Sequence, residues 1–242
     1  MNKLASPGGD AVEKTSLNNL ARVVLNPRHR AMLDAAMKDC GGDAATRNRK
    51  LFEARDLLSL GQLAPPGRLR IDSLDMTEHL RALISLEVPV ACQPNANNEL
   101  QLRNRALLGF TYRTEAFQRP LPGSAFFQVI LPRDVWLPQI HQPEQSLCIA
   151  PQIPAGSRTA MLILRAYGAL SMQSIQVDVQ DPAGVFAPEI AQWWQHNLHR
   201  VPLTKVALLE PNKPAKPGQT DPNKTEPNNT DPNKTEPRKE KD

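Results

Sequence analysis

A cysteine lies seven residues after a histidine in the stretch HQPEQSLCIAP, residues 141–151. No other part of this chain is better equipped for covalent chemistry. A cysteine thiolate is a strong nucleophile and a good leaving group, and an imidazole within reach can act as its base. Cys148 and His141 are therefore the candidate catalytic residues. Leu147 and Ile149 flank the cysteine, and an apolar niche of that kind also suits a buried packing cysteine. A nucleophile–base pair of the protease type needs a third group to orient the base, and none is evident near His141.

The remaining reactive side chains point to less. Cys40 and Cys92 close an expected helix and an expected strand, and both read as packing. Three widely spaced cysteines with no C-x-x-C are neither a disulfide framework nor a zinc ribbon. His196 and His199 have a spacing able to share a metal, but no third ligand lies nearby, so a solvated helix end is the preferred reading. The chain has no glycine-rich phosphate loop. No cofactor and no metal are expected.

The elements that must position Cys148 follow from pattern. Residues 26–41 read as a helix with Asn26 as N-cap, Pro27 in the first turn and Gly41 at the end. A second helix runs from an Asp43 cap to Gly61, with Leu51, Ala54, Leu57 and Leu58 on one face. DSLDMTEHLRALI is expected to be a third helix. Strands are expected in LISLEVPVAC, ALLGFTYRTEAF and SAFFQVILP, with the last ended by Pro132. These strands predict an antiparallel meander. RDVWLPQIHQPEQSLCIAPQIPAG is proline-broken and reads as a long irregular loop carrying apolar anchors. SRTAMLILRAYGALS reads as a buried helix capped by Ser157 or Thr159. Pro188 opens the last helix, whose Trp193 and Trp194 are expected to pack onto the body.

Composition sets the frame. In 242 residues a hydrophobic share of 40% supports a core, and a net charge of +4 is too small to argue for nucleic acid. No apolar run approaches the roughly 20 residues that cross a bilayer, and the first residues carry no apolar signal core, so neither a membrane nor secretion is expected and the protein is placed in the cytoplasm. From Glu210 onward, TDPNKTEPNN recurs as TDPNKTEPRK, and seven basic residues balance seven acidic ones. Such a segment has too little apolar surface to offset the entropy of ordering. The expected organisation is a disordered start (1–20), a helical N-terminal region (21–80), a core (81–209) and a disordered repeat tail (210–242). Arginines in the N-terminal helices read as a solvated face or as a docking surface for an acidic partner.

In this order the elements resemble the ubiquitin-conjugating enzyme fold, over about residues 80–200. PLPGSAFFQVILPRDVWLPQI resembles the family's glycine-led aromatic strand and the proline run after it, through Gly123, Phe126, Phe127, Pro132, Asp134, Pro138 and Ile140. HQPEQSLCI resembles the His-Pro-Asn segment that precedes the catalytic cysteine. DPAGVFAPEIAQWW resembles the Asp-Pro loop and the helix start after it, through Asp181, Pro182, Pro188, Glu189, Ile190 and Ala191. The family asparagine is absent, with Gln142, Glu144 and Gln145 around its place, and the histidine-to-cysteine gap is short. These departures resemble the divergent bacterial versions encoded beside an activating enzyme and a ubiquitin-like protein and tied to defence against phage.

The resemblance implies an α+β fold with a four-stranded antiparallel sheet flanked by helices. It implies a transferase that takes a ubiquitin-like protein from an activating enzyme as a thioester on Cys148 and passes it to a lysine of a protein target. His141 would then hold the loop, Gln142, Gln145 or the backbone near Cys148 would donate to the oxyanion, and Asp181 would lie near the lysine's entry path. The alternative is a catalytically inactive scaffold of the same fold, related to RWD-type domains, that binds a ubiquitin-like protein.

Overall fold

The computed structural model describes residues 20–173, 185–197 and 206–209. The expected disordered start and repeat tail, Asp181 and His199 lie outside these residues. Helix α1 (Pro27–Lys38) starts as read: Asn26 accepts a hydrogen bond from the His29 amide, and Pro27 occupies the first turn. Helix α2 (Ala44–Leu63) is capped by Asp43, whose carboxylate accepts from the Thr46 amide. That bonding holds the Asp43 carboxyl below its ordinary range. Ala54, Leu57 and Leu58 of α2 are fully buried.

The expected third helix is instead a hairpin of β1 (Leu69–Asp75) and β2 (Leu80–Leu86). The region read as helical therefore ends in sheet. Leu80, Ala82, Ile84 and Leu86 are buried at every second position, the period of a strand with one face on a core. Asp75, which resembles a helix cap in sequence, closes the turn: its carboxylate accepts from the amide and the hydroxyl of Thr77. LISLEVPVAC is split between β2 and β3 (Val90–Cys92), and β3 pairs with β4 (Gln101–Arg103) in a separate two-stranded sheet.

Strand β5 (Ala106–Tyr112) follows, with Ala106, Leu108, Phe110 and Tyr112 facing the core. Strand β6 (Phe127–Leu131) comes next, and the Phe110 and Phe127 rings meet at 5.1 Å. The proline-broken stretch is not wholly irregular. It contributes β7 (Ile140–His141) and β8 (Ser146–Leu147) to the sheet edge. The main sheet thus has six strands in the order β1-β2-β5-β6-β8-β7 rather than the four expected, every pair antiparallel. The α+β class and the antiparallel meander stand.

Helix α3 (Thr159–Leu170) is almost entirely buried and packs on α2, which in turn packs on β1 and β2. Helix α4 (Pro188–Asn197) starts at Pro188 as read. Trp194 is fully buried and its indole N–H donates to the Trp136 carbonyl at 2.8 Å. Trp193 donates to Asn98 at 2.7 Å, which ties α4 to the turn between β3 and β4. Lys50 is 1% exposed, and its ammonium donates to the carbonyls of Gly41, Met76 and Thr77 at 2.9, 3.0 and 3.2 Å. It knots the α1–α2 link to the β1–β2 turn. No helix among the described residues is long and apolar enough to cross a membrane.

Candidate functional site

Cys148 is positioned by the hairpin of β7 and β8. Leu147 pairs with Phe127 on one side and Ile140 on the other, and all three side chains are buried. The Cys148 amide then donates to the Gln139 carbonyl at 2.9 Å, so the pairing runs one residue past β8. Gln145 closes the hairpin with φ +57°, and its carbonyl accepts from the Val129 amide at 2.8 Å. Cys148 therefore sits at the end of β8, between β6 and β7, where the chain leaves toward α3.

Although it follows the last strand, Cys148 is only 5% exposed. The connection between β5 and β6 lies beside it, with the Ser124 backbone in hydrogen-bonding reach of the sulfur. The Gly123 amide donates to the Ala150 carbonyl at 3.1 Å, Leu121 and Ile153 exchange two bonds at 3.1 and 2.8 Å, and the Gly156 amide donates to the Ala116 carbonyl at 2.9 Å. The thiol donates to the Ala150 carbonyl at 3.2 Å. Burial pushes the thiol's pKa up, while hydrogen bonding with the backbone of Ala150 and Ser124 works the other way. Cys92 is fully buried and is pushed up to about 12 by burial, with the Asp134 carboxylate adding to the shift. Cys40 is buried as well, with its sulfur 3.9 Å from the Gly41 carbonyl.

The hairpin register sets His141 opposite Ser146, and the imidazole does not hydrogen-bond the Cys148 sulfur. Its Nδ1 lies 2.7 Å from the Glu144 carboxylate, and its ring stands edge-on to Phe186 at 5.6 Å. The Glu144 carboxyl is held below its ordinary range by its own backbone amide and then by His141. Gln145 donates to the Gln142 side chain at 2.5 Å, and Gln142 lies 3.5 Å from the Val135 carbonyl. With Gln128 and Arg133 these two glutamines line an open hollow of about 430 Å³ whose wall does not include Cys148. The structure thus brings the sulfur to the backbone of Ser124 and Ala150, and sends His141, Gln142 and Gln145 to other partners.

Sequence reasoning missed the groups that hold the far end of the cysteine loop. The N-cap position of α3 is Arg158, with no side-chain cap of its own. Two buried carboxylates on α2 do that work. Glu53 accepts from the amide and the hydroxyl of Thr159 at 2.8 and 2.9 Å, and Asp56 accepts from the Ala160 amide at 3.1 Å. Arg49 pairs with Glu53 at 3.0 Å, Arg158 pairs with Asp56, and the Tyr112 hydroxyl donates to the Ser157 carbonyl at 2.8 Å. Burial raises the Glu53 pKa against the pull of the Thr159 bonds and of Arg49. The signal was present as acids at 53 and 56 on the same helix face as Leu57, a place where carboxylates need partners.

Among the described residues no group of three or more His, Cys, Asp or Glu side chains could hold a metal. His196 Nδ1 lies 2.7 Å from the Gln192 carbonyl of its own helix. No family model, curated protein or solved structure matches this chain.

Proposed function

We propose that this chain carries a ubiquitin-like protein as a thioester on Cys148 and passes it to an amine, in the manner of a ubiquitin-conjugating enzyme. The observation that carries the reading is the placement of Cys148: at the end of β8, on the loop into buried α3, with its sulfur against the backbone of Ser124 and Ala150. In the first step the Cys148 thiolate attacks the acyl carbon of the thioester on an activating enzyme. A new C–S bond forms, the old one breaks, and the activating enzyme's thiolate leaves. In the second step a neutral lysine amine attacks that carbon. A C–N bond forms, the C–S bond to Cys148 breaks, and the ammonium proton goes to solvent.

The backbone amides beside the sulfur, whose hydrogen bonds oppose the rise of its pKa, are the donors for the developing oxyanion, a contribution of roughly 3 to 4 kcal/mol per donor in acyl transfer. Gln142 and Gln145, turned toward each other, are not needed for that role. His141 acts structurally, bracing the hairpin between Glu144 and Phe186. An unperturbed thiol is only a few per cent thiolate at neutral pH, and Cys148 is pushed further toward the thiol. The resting site is therefore quiet, and activation waits on the partner. The same burial favours a second reading, a scaffold that binds a ubiquitin-like protein without forming a bond.

The two readings separate in one assay. The chain is mixed with ATP and with the activating enzyme and ubiquitin-like protein of its own genome, then run on a gel with and without reductant. The catalytic reading expects an adduct that reductant removes and that Cys148→Ala abolishes. Binding without an adduct would leave the scaffold.

A further inference from the structure

Sulfur chemistry between two proteins needs an open approach to the sulfur, and here that approach is closed. On one side the backbone of Cys148 is held by the sheet: Leu147 before it pairs with Ile140 and Phe127, and the Cys148 amide donates to the Gln139 carbonyl. On the other side lie residues 113–126, the connection between β5 and β6. That connection contains no strand, only two single 3-10 turns, Thr114–Phe117 and Gly123–Ala125. Its middle, residues 118–120, is exposed, and Pro120 and Pro122 offer no amide to hold it. Four backbone hydrogen bonds join it to residues 150–156, and its buried Ala116, Leu121 and Phe126, with Phe117 stacked on Tyr112 at 4.9 Å, anchor it to the core.

We infer that residues 116–124 form a strap over Cys148, which must part from residues 150–156 before a partner's acyl carbon reaches the sulfur. Gly123 is the positioning residue of the strap. A Cβ at this site would lie 2.1 Å from the Ala150 carbonyl oxygen and 2.6 Å from its nitrogen, closer than any real contact. Only glycine lets the two backbones meet, and that meeting seats Ser124 against the sulfur. The sheet behind the sulfur is held by paired strands, whereas the strap has no strand and an exposed middle, so the strap is the side that opens. The purpose of the strap rests on Cys148 as acyl carrier, whereas its geometry does not.

The test needs no ubiquitin-like protein. The wild-type chain and Gly123→Ala are treated with iodoacetamide, and the alkylation rate of each cysteine is read by peptide mass spectrometry. Fully buried Cys92 reports global unfolding. The strap expects Cys148 to react at least tenfold faster in Gly123→Ala while Cys92 keeps its wild-type rate. No acceleration, or acceleration of both cysteines in step, would overturn it. Hydrogen exchange on the wild-type chain guards against a variant that does not fold. The amides of Leu121, Gly123, Ile153 and Gly156 should exchange at least 100-fold faster than those of Leu108 and Phe110, and equal rates would also overturn the strap. If the strap opens as expected and no thioester ever forms, the acyl-carrier reading fails and the strap stands.

Discussion

Replacing Glu53 separates the worth of its hydrogen bonds from the cost of its charge. Its side chain is fully buried and serves two donors of Thr159, itself fully buried. In Glu53→Ala the amide and the hydroxyl of Thr159 lose their acceptor where water does not reach. Each such orphan costs about 1 to 3 kcal/mol, so a loss of roughly 2 to 4 kcal/mol is expected. Glu53→Gln keeps an acceptor oxygen for Thr159. It gives up the pairing with Arg49, whose side chain is 38% exposed and is re-solvated at little cost, so a loss of about 1 kcal/mol or less is expected.

The pH dependence carries a definite sign. Burial lifts the Glu53 pKa above its unfolded value, so the folded chain holds this proton more tightly than the unfolded chain does. The stabilisation linked to that proton is complete below the ordinary glutamate pKa, roughly 4.3, and is lost as pH rises through the folded value. Urea unfolding of wild type and Glu53→Gln from pH 4.5 to 8 measures the difference. Glu53→Gln should gain on wild type as pH rises. A constant difference, or a variant that loses ground as pH rises, would refute the reasoning about burial, and a harmless Glu53→Ala would refute the capping role.

Three further outcomes are expected. Lys50→Met keeps the buried stem but removes a donor shared by three carbonyls; a loss of about 2 to 3 kcal/mol should appear as a lower urea midpoint. His29 is 8% exposed, its Nδ1 has no partner, and burial with the Arg28 charge lowers its pKa. The linked stability is full above roughly pH 6.5 and falls as pH drops through the folded value, so His29→Leu should flatten the stability profile between pH 7 and 5. His141→Ala should leave Cys148 alkylation within twofold of wild type, because Nδ1 is engaged with Glu144 and not with the sulfur; a tenfold fall would restore the nucleophile–base pair.

Helices α1, α2 and α4 were legible because their ends carry explicit signals: Asn26 with Pro27, Asp43, and Pro188. The β1–β2 hairpin was not, because Asp75 and Thr77 bond alike at a turn and at a helix start, and because Leu69 and Ile71 precede the stretch over which a helix was read. Strands β7 and β8 are two residues each, too short for any period to show, and exist only because β6 offers a free edge. Cys148 was found from its neighbours in sequence, but its cover was not, since Gly123 and Ala150 are far apart along the chain and meet through backbone. His141 was paired with Cys148 on proximity in sequence, and the hairpin register undoes that pairing. The caps of α3 come from a different helix, so no local pattern reveals them.

The most direct measurement is a trap at position 148. Cys148→Lys replaces the thiol by an amine that would hold the acyl group in a stable isopeptide bond. With ATP and with the activating enzyme and ubiquitin-like protein of the same genome, the account expects a reductant-resistant adduct whose mass map places the modifier's C-terminal remnant at position 148. An adduct mapped only to other lysines, with wild type forming no reductant-sensitive species, would contradict Cys148 as the acyl carrier.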